Sequence, residues 1–221
     1  MTTPTFQDTA PQPKAESFLD WFRINSRLVS IGTVVVLAAA FGVWFYNRSV
    51  VLKNENADKK LLAAKQSVGS GNIPLAQTDL QKVADQYAGT SAGAEAGMLL
   101  AQLKLDQGDY PGAVATLKDL TARTPSGPYA ASLRALLGDA YAQQGKPADA
   151  AAEYDRASQL TQMPNERALL LSKVGRAFAA AGNHDKARQA WEALAVQQDN
   201  AALAAEARIR LGELLATGAK S

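Results

Sequence analysis

Residues Leu137–Ala157 read LGDAYAQQGKPADAAAEYDRA. Leu137, Gly138 and Tyr141 fit one helix, with the two large side chains on one face and a glycine where a second helix must come close. Gly145 breaks that helix and Lys146-Pro147 restarts it. Ala150, Tyr154 and Ala157 then fall at helical spacing on the second helix. Small residues mark where two backbones approach, and an aromatic fills the hole between them. The spacing predicts a helix, a tight turn and a second helix packed on the first.

The arrangement recurs along the chain. The turn glycines are Gly71, Gly108, Gly145 and Gly182, and their separations are equal (108 − 71, 145 − 108 and 182 − 145 are all 37). An alanine follows each glycine at one offset: Ala76, Ala113, Ala150 and Ala187. Four residues on stand Leu80, Leu117, Tyr154 and Trp191, and the next packing position holds Val83, Leu120, Ala157 and Leu194. These columns resemble the tetratricopeptide repeat, a helix-turn-helix unit whose usual period is about 34 residues. Each unit here carries about three more, most simply in the loop between units. The expected fold is all-α: one transmembrane helix, then an α-solenoid of about four such helix pairs and a C-terminal capping helix.

The helix pairs are expected at 57–70 with 74–86, 91–107 with 110–123, 129–144 with 147–161, and 165–181 with 184–197. A last helix, 200–217, carries Leu211, Gly212 and Leu215 in the first-helix pattern. It should cover the last repeat and turn a more polar face outward.

Working outward, Leu28–Tyr46 is 19 residues without a charge, bounded by Arg27 and Arg48. That suits the roughly 20 residues a helix needs to cross a bilayer. Trp44, Phe45 and Tyr46 sit where an aromatic belt would lie, with Trp21 and Phe22 toward the other side. A buried core helix of this length would show a polar face, whereas this one offers only Ser30 and Thr33. No small-x-small cleavage site follows, so an uncleaved anchor is expected. Residues 1–27 read as a proline-punctuated tail, followed by a stretch in which Phe18, Trp21 and Phe22 share a helical face. That stretch is either a short interfacial helix or an aromatic-rich lead into the membrane. Residues 28–46 are assigned to the membrane, 47–56 to a tether and 57–221 to the repeat domain; the polar stretch 47–60, NRSVVLKNENADKK, is expected to continue above the membrane as a helix or a tether. Lysines and arginines flank the anchor almost equally on both sides, so charge counting does not orient it.

Composition excludes several classes. There is no cysteine, hence no disulfide and no thiolate metal site. The single histidine, His184, falls in an expected turn and reads as solvated. From Ala57 onward 18 Lys and Arg face 17 Asp and Glu with no basic stripe, which argues against nucleic acid. No nucleophile–base pair, helix with two metal ligands or phosphate loop emerges, so neither an enzyme nor a cofactor or small-molecule substrate is expected.

The expected business end is therefore a protein-binding groove lined by the first helices. The residue after the small position is polar in every unit: Lys65, Gln102, Asp139, Arg176 and Glu213. Its neighbours on the same face are small or apolar, among them Leu61, Met98, Leu105, Ala135, Ala142, Ser172, Ala179 and Ile209. The groove expectation rests on Lys65, Met98, Gln102, Leu105, Asp139, Arg176 and Glu213. The bland alternative is that Asp139 and Arg176, one repeat apart, pair with each other on a solvated face.

One anchor followed by about four degenerate repeats resembles the bacterial ancillary SecYEG translocon subunit family, over nearly the whole chain from Ser17. The resemblance implies an inner-membrane, single-pass protein with a cytoplasmic N-terminus and a periplasmic repeat domain. It implies a non-catalytic role, docking beside the translocon and recruiting periplasmic chaperones or client proteins. The groove column does not match the lysines and asparagines that cytosolic co-chaperone repeats use to clamp a terminal carboxylate. A structural or assembly subunit of another membrane or envelope complex is the alternative.

Overall fold

A computed structural model describes residues 25–197 and 200–218. The expectations for the tail, and for the shared face of Phe18, Trp21 and Phe22, lie outside the described residues. Among the described residues the chain is entirely helical. The helices are α1 (Ser26–Gly69), α2 (Ile73–Gln86), α3 (Ser91–Asp106), α4 (Tyr110–Arg123), α5 (Ala130–Gln143), α6 (Pro147–Leu160), α7 (Pro164–Ala180), α8 (His184–Ala195) and α9 (Ala201–Gly218). The chain divides into two units, Met1–Leu52 and Lys53–Ser221.

In the first unit, α1 carries the apolar run. Its side chains from Leu28 to Tyr46 are exposed apart from half-buried Val29, with no part of the most apolar window buried. Ser30 and Thr33 donate their hydroxyls to the carbonyls of Ser26 and Val29, each at 2.8 Å, so neither hydroxyl is left without a partner in an apolar setting. Phe41 packs near Trp44 and Phe45, with ring centroids 5.7 and 6.3 Å away. This helix is long and apolar enough to span a membrane.

In the second unit, one turn design repeats. Gly108 ends α3 at φ +78°, a left-handed conformation that a side chain disfavours. Its N–H donates to the Leu105 carbonyl at 2.9 Å, and that of Asp109 to the Lys104 carbonyl at 2.8 Å. This double bond pattern satisfies carbonyls that a helix end leaves open. Asp109 then caps the next helix, its carboxylate accepting from the Gly112 N–H at 3.0 Å. The turns at Gly71, Gly145 and Gly182 have φ between 74° and 75° and the same bonds, with Asn72 and Asn183 as the equivalent caps. Lys146 cannot cap with its side chain, and Pro147 opens that helix instead.

Between the helices of a pair, small meets large. A Cβ on Gly138 would come within 2.5 Å of the Tyr154 ring, and one on Gly175 within 2.5 Å of the Trp191 ring. Both rings are buried. In the first two units the same positions hold Ala64 with Leu80 and Ala101 with Leu117, all four buried. A smaller cavity-filler thus goes with a larger small residue. From α2 onward each helix packs on the next, and beyond that α3 adjoins α5 and α7 adjoins α9. First helices therefore meet along one seam of the stack. Helix α9 packs on α8 and α7 as a cap. Its outer face is less polar than expected: Leu215 is exposed and nothing covers Gly212.

Candidate protein-binding face

The polar column lies along that seam, and its members are tied across it. Lys65 Nζ donates to Glu95 on α3 at 2.5 Å. Arg176 donates through Nε and Nη2 to one oxygen of Glu206 on α9, at 3.1 and 2.6 Å. These two links join equivalent positions in the first and last steps of the stack. Gln102 instead turns along its own helix to Asp106, at 2.8 Å. Glu213 accepts from Arg210, one turn away, at 2.9 Å.

Asp139 sits differently. Its Oδ1 accepts from the Tyr154 hydroxyl and from Lys173 Nζ, each at 2.7 Å. The Lys173 ammonium also lies 5.2 Å from the centre of the Tyr154 ring. Three helices, α5, α6 and α7, are thereby joined at one carboxylate. Burial above all, and then the bond to Asp139, push the Tyr154 phenol well above its ordinary range. The Asp139–Arg176 pair is not formed, because each residue bonds elsewhere.

Met98 is half-buried against the core, whereas Leu105 is turned into it at 5% exposure. Leu105 is thus a core residue rather than a lining one. At about 100° per residue it stands about 40° around the helix from buried Ala101 and about 60° from exposed Gln102, so it follows Ala101 inward. Met98 stands nearer Gln102 by the same measure. Tyr141, Tyr154 and Trp191 are buried core side chains, and Phe178 packs partly buried against the core. His184 opens α8, is exposed, and borders a cavity of about 340 Å³ together with Arg176, Trp191 and Glu213. That cavity brings two column members to one place, which the repeat register alone did not indicate.

Helix pairs stacked with their first helices along one seam define an α-solenoid of the protein-interaction class. A family model for a tetratricopeptide repeat-like domain matches residues 53–176, more than half of the chain, and the chain belongs to that family. No curated protein sequence matches. Among solved structures, the putative kinesin light chain TPR-like repeats of Podosopora anserina align with TM-score 0.55 and 16% identity, over 75% of this chain and 88% of that one. A tetratricopeptide repeat protein from Parabacteroides merdae aligns with TM-score 0.58 and 12% identity, over 74% and 61%. The MamA protein aligns with TM-score 0.51 and 19% identity, over 75% and 93%. At these identities the likenesses establish the fold. Repeats of this kind serve typically as non-catalytic scaffolds for protein partners.

Proposed function

We propose that the chain is a membrane-anchored scaffold that holds a segment of a protein partner against the seam face of its first helices. In this reading residues 28–46 cross the bacterial inner membrane, 47–56 form the tether and 57–221 the binding domain. The N-terminal residues 1–27 lie on the cytoplasmic side and the repeats in the periplasm, beside the protein-export translocon, receiving chaperones or emerging clients. The supporting observation is the column itself: Lys65, Gln102 and Arg176 are exposed along one seam, with half-buried Met98 beside them. Such a strip offers polar anchors and apolar contact to an extended or helical segment. Asp139 is the fixed point of the strip, because its carboxylate is already committed to Tyr154 and Lys173.

The test is co-purification of the full chain from its native membrane in gentle detergent, read by mass spectrometry, beside Gln102→Arg with Arg176→Glu. Both residues are exposed, and surface pairs such as Arg176–Glu206 contribute only about 0–1 kcal/mol, so the fold survives the change. The reading requires translocon subunits with the full chain and loss of chaperones or clients in the variant. Recovery of a different complex at fixed stoichiometry, unaffected by the variant, would instead make the chain a structural subunit of that assembly.

A further inference from the structure

Units three and four differ at one triad of positions, and the difference opens a pocket. In unit three Asp139 on α5, Tyr154 on α6 and Lys173 on α7 are bonded together across the space between the three helices. One repeat on, the same positions hold Arg176 on α7, Trp191 on α8 and Arg210 on α9. Two cations stand where unit three has an anion and a cation, and the indole carries no hydroxyl, so the triad cannot form. Arg176 turns to Glu206 instead, and Arg210 turns along its own helix to Glu213. The space becomes the cavity of about 340 Å³, lined by the buried Trp191 ring, Ala179 and Leu214 as well as by the two arginines. Its walls are α7, α8 and α9 themselves, so its opening is a property of these three helices and of the residues exchanged between the two units.

Charge and shape say what fits. Glu206 and Glu213 already offset the two guanidinium groups, and a further carboxylate would meet both of them. A guanidinium donates its hydrogen bonds in its own plane, so pairing with a carboxylate leaves its flat faces free, and those faces stack on aromatic rings. The side chains of Arg176 and Arg210 are 58% and 47% exposed, which leaves such faces open to a ligand. The chain uses the same attraction internally, with Lys173 5.2 Å from the Tyr154 ring centre and Lys118 5.8 Å from that of Tyr141. A volume of about 340 Å³ lies at the low end of the roughly 300–1,000 Å³ of ligand pockets, which suits one ring rather than an extended molecule.

We propose that this cavity is an anchor pocket for one aromatic side chain projecting from the protein segment held along the seam. The ring lies on the apolar lining of Trp191, Ala179 and Leu214, with the guanidinium faces of Arg176 and Arg210 against it. This inference rests on the reading of the seam as a partner-binding face and adds the side chain that the face selects.

The test uses the absence of cysteine from the chain. His184 is exposed at the border of the cavity, so His184→Cys places a single thiol there in the full chain in detergent micelles. Phenylethanethiol, cyclohexylethanethiol and mercaptopropionate compete for that thiol by disulfide exchange, and intact-mass spectrometry counts the adducts. Lys146→Cys, exposed at another turn, is the reference for uptake of the thiols by the micelle. Relative to that reference, the His184→Cys chain should favour the phenyl over the cyclohexyl adduct by about threefold or more, and the acid should not be favoured. Adding Arg210→Gln should bring the ratio down to the reference value. Arg210 is an exposed side chain, so the fold survives, as circular dichroism will verify. The proposal is overturned if the two cysteine sites give equal ratios, if the acid or the cyclohexyl group is preferred, or if Arg210→Gln leaves the phenyl preference intact. Loss of partners in Gln102→Arg with Arg176→Glu, without a phenyl preference at His184→Cys, keeps the seam reading and overturns this one alone. A phenyl preference in a chain whose partners ignore that double variant overturns the seam reading, and with it the role given to the pocket.

Discussion

The fit of Tyr154 over Gly138 can be put to a quantitative test. In Gly138→Ala the new Cβ would lie 2.5 Å from the ring, against the roughly 3.5–4.0 Å of an ordinary carbon contact. The ring cannot swing away easily: it is 5% exposed and its hydroxyl is held by Asp139 at 2.7 Å. Overpacking of this kind costs about 1–3 kcal/mol, and the fixed wall argues for the upper half. The better helix propensity of alanine returns up to about 1 kcal/mol. The net loss should be about 1–2 kcal/mol. Tyr154→Leu alone opens space and removes a hydrogen bond, at about 2–4 kcal/mol. Together they recreate the alanine–leucine pair of the first two units, Ala64 with Leu80 and Ala101 with Leu117. The double variant should therefore be more stable than the sum of the singles implies, by about 1–3 kcal/mol. Trp191 fluorescence reports the transition in a full chain whose Trp21 and Trp44 are replaced by phenylalanine, unfolded by urea in detergent. Additivity to within about 0.5 kcal/mol would refute the idea that the two columns are matched in volume.

The same glycine-to-alanine change should have opposite signs at two other places. Gly108→Ala, at φ +78°, should destabilise by about 1–2 kcal/mol, while Gly212→Ala, in a helix with open space around it, should stabilise by up to about 1 kcal/mol; thermal unfolding of the full chain ranks them. Tyr154 also sets a pH dependence. Its native ionisation lies above that of the unfolded chain, so its contribution is complete below about pH 10 and declines as pH rises from there toward the native value. Tyr154→Phe should flatten the loss of stability measured between about pH 10 and 12. Finally, Glu153→Ala strands Arg134 and should cost about 1–3 kcal/mol. Adding Arg134→Leu, which installs the leucine–alanine pair seen at Leu171 and Ala190, should recover most of that loss in a denaturant titration.

Much of the fold was legible because two constraints act at single positions. A left-handed turn residue is nearly always glycine, so Gly71, Gly108, Gly145 and Gly182 write the period directly into the sequence. A helix crossing with no room for a side chain demands glycine or alanine opposite a large residue, and the paired columns record that demand. Neither constraint involves a distant partner, so neither needs the structure to be seen. The helix bounds followed to within a few residues. The anchor continues without a break into the first repeat helix as α1, the helical of the two forms expected of NRSVVLKNENADKK, because nothing in that stretch stops a helix once one is running.

The candidate site was legible only as a set of positions. Which residues a long side chain meets depends on neighbours 30 or more residues away. Lys65 reaches Glu95 and Arg176 reaches Glu206, while Asp139 turns to Lys173 and Tyr154 rather than to Arg176. The register places residues on a face without fixing which rotamer each arm adopts. The consequence runs back to function. A column in which Lys65 and Arg176 are held by inter-unit ion pairs, Asp139 is bound to a buried phenol and Glu213 pairs within its own helix cannot act as five equal hooks. Lys65 and Arg176 can exchange a surface partner for a ligand at a cost of about 1 kcal/mol or less. Releasing Asp139 would leave a buried hydroxyl unpaired as well as freeing Lys173. Contacts with a partner should therefore concentrate on Lys65, Gln102 and Arg176, and variants of Asp139 should reveal themselves first as unfolding.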